Sequence, residues 1–343
     1  MAHISKKKKV YEISEVLRKY LKKYHRETDL PISYEDLTRY EQSTSLYDKN
    51  GVDTLWETVF YAHHEYTEVK ESLKKIYAIL KANGDLSVIK HLNIDRIDLC
   101  VYGNTLPYRV RVINSINDNF DYFYVKKADA SRIYGLELEH LLSPNRISYL
   151  VSNNTLIEEH IVGIPGNMFI DNYLNREELN PTRLAKEFVK FNERCFIRLL
   201  GDMHSNNFVV DITPDFDDMS YRIRAIDFDQ QSYENRKAIY MPKYFKQNRA
   251  LVELGMKNMA VENMIQYQKE ERSNIAMRIK ESKNNIVDLL KSMKQDSIAP
   301  QENVRNLAKD LAHHYQDNKF LQCKSMGELV QASLSLIVEQ KKG

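Results

Sequence analysis

One stretch constrains this chain more than any other, residues 198–232, RLLGDMHSNNFVVDITPDFDDMSYRIRAIDFDQQS. It reads as a loop carrying Asp202 and Asn207, an apolar strand over 208–210, a turn rich in Asp and Pro, and a second strand over 221–226 that ends at Asp227-Phe228-Asp229. A short hairpin of this kind holds three oxygen-bearing side chains at its ends. Few protein oxygens on a rigid support suit Mg²⁺, which shares the rest of its shell with phosphates and water. The pattern therefore points to phosphoryl transfer.

The loop GDMHSNN, an Asp followed five residues later by an Asn, is similar to the catalytic loop of kinase-like phosphotransferases, and AIDFD resembles their metal-binding strand end. The aminoglycoside phosphotransferase and choline kinase branch is the one it most resembles. The resemblance implies an α+β, protein-kinase-like two-lobed fold: a small antiparallel sheet lobe, a mainly helical lobe, and helical additions at both ends. It divides the chain into a helical N-terminal extension (1–95), a nucleotide-binding N-lobe (96–162), and a helical C-lobe with its C-terminal region (163–343).

The remaining sequence accommodates this division. Before residue 96 the pattern is helical and charged. A short helix is expected over 33–39 with Ser33 as its cap, and a long one over 55–82, striped by Trp56, Val59, Phe60, Val69, Leu73 and Ile76 and closed at Asn83-Gly84. From residue 96 the period becomes that of strands, at 97–102, 108–113 and 122–128. A helix follows over 129–142, then strands over 147–151 and 155–161. Helices are expected over 169–174 and 181–199, with Pro181 in the first turn of the latter. Beyond residue 232 nearly everything reads as helix, over 243–254, 260–293, 302–315 and 326–339.

By resemblance, Asp202 orients the acceptor hydroxyl, Asn207 and Asp227 hold Mg²⁺, and Lys126 grips the nucleotide phosphates. Lys127 is the second choice for that role. Glu137 or Glu139 would pair with the lysine; they project about 200° apart on a helix, so only one faces the site, and Glu137 is favoured. Gly103 and Asn104 lie in the turn that would cover the nucleotide, and Glu159, His160 and Ile161 form a hinge against the adenine edge. The sequence departs from the family in two places. The covering turn Gly103-Asn104-Thr105-Leu106-Pro107 has a single glycine, and Leu200 stands where a histidine usually precedes the catalytic Asp.

The implied activity is ATP- and Mg²⁺-dependent transfer of the γ-phosphate to a hydroxyl of a small molecule. No A-P-E signature or long activation segment follows Asp229, which disfavours a folded protein substrate. Glu253 or Glu262 could form an acidic pocket for a cationic amine. The alternatives are a nucleotide-binding pseudoenzyme or scaffold, and a protein-modifying kinase or nucleotidyltransferase on the same fold.

Composition supplies the exclusions. Among 343 residues, 50 Lys and Arg against 48 Asp and Glu leave a net charge of +2, so no global bias favours nucleic acid. The basic run at 6–9 reads as a solvated tail. Cys100, Cys195 and Cys323 show no pairing pattern, so neither disulfides nor a zinc site are expected, and a cytoplasmic setting is; Cys195 sits on an apolar helix stripe as a core thiol. No signal peptide and no membrane span are expected.

Overall fold

A computed structural model of the chain describes residues 8–82, 84–103, 105–215 and 218–339. It separates into two compact units. One comprises residues 21–129 and 147–160; the other comprises 1–20, 130–146 and 161–343. The division falls inside the first helix, α1 (Glu15–Lys23).

The first unit is an antiparallel sheet with helices. After α2 (Tyr34–Leu37) come β1 (Gln42–Tyr47), β2 (Asp53–Phe60), α3 (His63–Lys81), β3 (Leu92–Cys100), β4 (Tyr108–Asn114) and β5 (Phe120–Lys127). The strands β6 (Tyr149–Ser152) and β7 (Thr155–Glu159) return to it later in the chain. The strand order is β1-β2-β3-β4-β5-β7-β6, every neighbour antiparallel. Alternation along β4 puts Val110 and Val112 on one face, and a register shift in β3 between Ile94 and Arg96 brings Ile94 and Ile97 opposite them, where all four meet Val69, Leu73, Ile76 and Leu80 of α3 in one buried core. Those four helix residues fall at steps of four, three and four, so they share one face. Ser33 caps α2 with a full capping box, its side chain accepting from the Asp36 N–H while Asp36 accepts from the Ser33 N–H.

The expected helix over 55–82 is corrected at its start, and with it the all-helical extension before residue 96. Residues 53–60 form β2, and the helix begins at His63. Trp56 and Val59 satisfy a helical step, yet Thr54, Trp56, Thr58 and Val59 are strand formers. Pairing with β1 on one side and β3 on the other settles the competition. Gly84, at φ +82°, closes α3 by donating to Ala78 O; Asn83 lies outside the described residues.

The second unit is mainly helical. It contains α4 (Ala130–Leu142), a two-residue strand β8 (Ile164–Pro165), α5 (Gly166–Asn172), α6 (Pro181–Ile197), the hairpin β9 (Phe208–Asp215) and β10 (Asp218–Ala225), and then α7 (Arg249–Asn258), α8 (Val261–Glu281), α9 (Lys283–Gln295), α10 (Gln301–Tyr315) and α11 (Met326–Glu339). The helix expected over 260–293 is two, separated at Ser282, which leaves helical geometry at φ −105°, ψ 32°. Asn180 caps α6 and Pro181 occupies its first turn. The architecture is thus α+β, and the succession of strands, helix, strands, helix, loop and hairpin follows the order expected of a kinase-like fold.

The basic tail needs one correction. Lys8 is buried, its ammonium 6.0 Å from the ring centroid of Tyr11 and 5.9 Å from that of Tyr233. Lys6 and Lys7 lie outside the described residues. The thiols of Cys100 and Cys195 are buried and Cys323 is half-buried, all free; burial pushes the Cys195 thiol up to about 12, as suits a core residue. Among the described residues, no helix is long and apolar enough to cross a membrane.

Candidate active site

The loop at 198–207 is shaped by backbone conformation that its residues would not adopt in isolation. Leu199 and Asp202 both have positive φ, 56° and 61°, a costly region for a non-glycine residue that persists only where the surroundings enforce it. The enforcement is visible. Gly201 N–H donates to Gln230 O, Asp202 N–H to Ile239 O, and Ser232 N–H to Leu199 O. A Cβ on Gly201 would stand 3.0 Å from Gln230 O, so a glycine allows the two segments to touch.

Leu200, at the position where the resemblance implies a histidine, is buried and forms a backbone bridge with Gln231. Bracing of the loop falls to Gln231, which is fully buried and whose Nε2 donates to Arg198 O, Leu199 O and Ser232 Oγ. Nothing in the spacing of Gln230-Gln231 marks this role beforehand.

Three expected site residues of this unit are brought together. Asn207 Nδ2 donates to Asp202 O at 2.8 Å and to Asp202 Oδ2 at 3.4 Å. Ile226 N–H donates to Asn207 O at 3.0 Å, which holds the start of the Asp227 segment beside Asn207 at the open end of the hairpin. His204 Nδ1 accepts the Asn206 N–H, so the neutral ring carries its proton on Nε2, 3.9 Å from Asp202 Oδ1. Burial pushes the His204 imidazole below its ordinary range.

The electrostatics set Asp202 apart. Burial, and then the charges of Asp227, Glu234 and Asp229, raise its carboxyl to about 7. A buried cation of the same unit answers two of these acids. Arg132 of α4, with a side chain only 3% exposed, donates through Nη1 to Asp227 Oδ1 at 2.8 Å and to Asp229 Oδ1 at 2.6 Å. Sequence reasoning missed Arg132 altogether, since an arginine one turn into a helix is ordinarily a surface residue. The signal available was Gly135, one turn further on, where a Cβ would stand 3.1 Å from the Cβ atoms of both Phe228 and Gln231. Gly135 lets α4 press against the chain after Asp227.

Of the two acids on α4, Glu137 accepts the Tyr20 hydroxyl at 2.9 Å, and Glu139 forms a buried ion pair with Arg198. Ile161 is buried in this unit.

The sheet unit holds the other expected residues. Lys126 is buried, its Nζ 2.7 Å from Glu158 Oε2 and 5.2 Å from the Tyr124 ring centroid; Lys127 is exposed. Glu159 joins Lys81 at 2.9 Å and also accepts the Ser148 N–H. The Glu159 and His160 N–H groups are taken by Ser148 O and Tyr122 O, and the His160 ring lies against Tyr122 and Tyr124. Burial lowers the His160 imidazole. In the covering turn, a Cβ on Gly103 would stand 2.8 Å from Pro107 Cδ. Asn104 lies outside the described residues.

The donor set suits a divalent cation. Asp227 and Asp229 share the single charge of Arg132, and with Asp202 and Glu234 close by, the local excess of negative charge is expressed in the raised Asp202 carboxyl. The amide nitrogen of Asn207 is spent on Asp202, which leaves its carbonyl oxygen as a donor. Among the described residues no three His, Cys, Asp and Glu side chains cluster in a way that could hold a metal by themselves. The helical unit also has a cavity of about 260 Å³ between α6, α7 and α8, lined by Phe188, Leu251, Met259 and Met264 with Lys243. It is apolar and contains none of the acids above. Glu253 instead pairs with Arg249 on the surface, and Glu262 is exposed.

No protein-family model and no curated protein matches the chain. Among solved structures it is similar to titin kinase with its flanking domains, at 13% identity and a TM-score of 0.30, covering 70% of this chain and 53% of that one. This chain thus spans about half of that structure's length. It is also similar to the pseudokinase domain of BIR2, an immune regulator of the RLK/Pelle family, at 14% identity and a TM-score of 0.26, covering 90% and 91%.

Proposed function

We propose that the chain is a kinase-like phosphotransferase that uses ATP and Mg²⁺ to phosphorylate a hydroxyl of a small molecule. The observation that carries this reading is the joining of Asp202, Asn207 and the Asp227 segment by hydrogen bonds at the open end of one hairpin. A carboxylate whose proton affinity lies near neutrality is suited to accept the proton of an attacking hydroxyl. Asp202 would take that role, with Asn207 fixing its orientation and His204 presenting an N–H toward it. Asn207 and Asp227 would hold Mg²⁺, whose contribution when bound is to neutralise charge on the phosphates. Lys126, already a buried cation oriented by Glu158, would contribute a point charge to the same phosphates. Gly103, Asn104, Glu159, His160 and Ile161 would meet the rest of the nucleotide.

A small acceptor is favoured by the chain after Asp229. Residues 237–248 form three short 3₁₀ turns, tied back by Asn248, which donates to Met203 O and Pro242 O, and by Tyr240, whose hydroxyl donates to Glu234 O. This segment is short and internally bonded, unlike a loop that docks a protein substrate.

A second reading is nucleotide binding without turnover, and Arg132 favours it, because a guanidinium already sits on Asp227 and Asp229. The two separate in one experiment. ATP carrying label at the γ- or the α-phosphate is incubated with Mg²⁺ and pooled metabolites or proteins, using the wild type and Asp202→Ala. The expected result is γ-label on a small molecule with the wild type alone. Binding without transfer in any pool favours the second reading, and α-label on protein indicates nucleotidyl transfer.

A further inference from the structure

The cavity between α6, α7 and α8 takes no part in the phosphotransfer site, and two features of its wall are not explained by packing. The first is Gly255, within α7, where the lack of a side chain weakens a helix. Apart from the helix itself, a Cβ there would meet only Met259 Cε, at 3.5 Å, so no neighbour demands a glycine. What the missing side chain does is widen the cavity. The second is Asn192 of α6, which is only 4% exposed and lines the same space. Its Oδ1 accepts the Lys243 N–H at 3.1 Å, and among the described residues its Nδ2 donates to no protein group. A buried amide donor left without an acceptor costs stability, which an acceptor on a bound molecule would restore.

The rest of the wall sets the chemistry of an occupant. Phe188, Leu251, Met256, Met259 and Met264 make it apolar, and Met256 and Met264 remain exposed. Unbranched, polarisable methionines adapt to an irregular apolar guest. Lys243, itself exposed, is the one charged residue among those lining the cavity. A cavity of roughly 150 Å³ with a similar lining takes up benzene, so the 260 Å³ here suits a chain of roughly eight to ten carbons. An amide donor and a lysine beside an apolar space select an anionic oxygen at the end of that chain.

We propose that this cavity binds a medium-chain aliphatic carboxylate, with the tail against Phe188, Leu251 and the methionines and the carboxylate on Asn192 Nδ2 beside Lys243. The site shares none of the acids around Asp202 and does not rest on the phosphotransfer reading.

Octanoate serves as the probe, titrated into the full chain carrying ¹³C-methyl methionine and followed by NMR. The signals of Met256, Met259 and Met264, assigned by Met256→Leu, Met259→Leu and Met264→Leu, should shift together and saturate with a Kd below about 1 mM. Gly255→Leu fills the cavity and should weaken binding about tenfold or more, with a melting temperature unchanged or raised because a helix glycine is replaced. Asn192→Asp keeps an acceptor for the Lys243 N–H but removes the donor and adds a negative charge, and should also cost about tenfold or more. Lys243→Met should weaken octanoate about threefold and leave 1-octanol unchanged. Should Gly255→Leu fail to fold, Asn192→Asp and the wild-type methionine signals decide. No saturable binding below about 1 mM, octanoate affinity unchanged in Gly255→Leu or in Asn192→Asp, or shifts confined to other methionines would overturn the proposal. A Lys243→Met variant that treats octanoate and 1-octanol alike would overturn the choice of a carboxylate.

Discussion

Two aspartates, one in each unit, show how differently this fold treats a carboxylate. Asp98 in β3 is fully buried and fully answered: Arg96 lies 2.7 Å away, Arg109 2.9 Å, and the Thr58 hydroxyl donates at 2.9 Å. Asp202 is one-fifth exposed, receives one long side-chain hydrogen bond from Asn207, and faces three further acids. A structural carboxylate is placed where the chain can satisfy it. Asp202 is left short of partners, which is the condition of a group whose partner arrives with the ligand.

The contrast can be broken by experiment. The largest effect is expected on turnover: Asp202→Asn should lower it by about 10²–10⁴-fold, the ordinary contribution of a positioned acid or base, as read by γ-label transfer. Asp98→Asn should act on stability instead. It leaves Arg96 and Arg109 without a counter-charge and should cost about 3–5 kcal/mol, measured by urea unfolding; a loss under 1 kcal/mol would mean that Asp98 is as dispensable as a surface acid.

Asp202→Asn should move stability the opposite way. A carboxyl raised to about 7 in the fold binds its proton more tightly there than in the unfolded chain, so its stabilising contribution is present at low pH and lost as pH rises through about 7. The wild type should therefore lose stability relative to Asp202→Asn between about pH 4 and 7. It should end about 2 kcal/mol or more lower, since each tenfold difference in proton affinity between folded and unfolded chain is worth ~1.4 kcal/mol. Parallel melting curves without metal check the sign. Transfer activity should climb over the upper part of that window as Asp202 ionises.

Much of the framework was legible because local signals agreed with tertiary demand. Ser33 caps where Asp36 answers it, Pro181 opens α6, and the alternation in 108–113 survives as β4. Where local and tertiary signals conflicted, the reading failed. QSTSLY of β1 has little hydrophobic pattern, and β2 carries a chance helical step; both become strands through pairing that a single segment does not encode. Within the site, the spacing of Asp202, Asn207 and Asp227 was readable because all three lie on one hairpin and its loop. Arg132 and Gln231 were not, because their roles depend on α4 reaching across from far away in sequence, and a lone arginine or glutamine announces nothing.

Smaller effects test that packing. Gly135→Ala forces a methyl against Phe228 and Gln231 and should cost about 1–3 kcal/mol, visible in thermal melts; a neutral result would mean that α4 can shift outward. The smallest change belongs to the surface pair Arg249 and Glu253, where Glu253→Gln should alter stability by less than about 0.5 kcal/mol. A larger effect there would show that exposed acids of this unit are as consequential as buried ones.

The central claim is that the acids around Asp202 are short of a cation that a metal nucleotide supplies. Calorimetric titration of ATP into the wild type and Asp227→Ala, with and without Mg²⁺, tests it most directly. The expected result is Mg²⁺-dependent binding to the wild type that Asp227→Ala abolishes. Equal binding by both proteins, or binding indifferent to Mg²⁺, would contradict it.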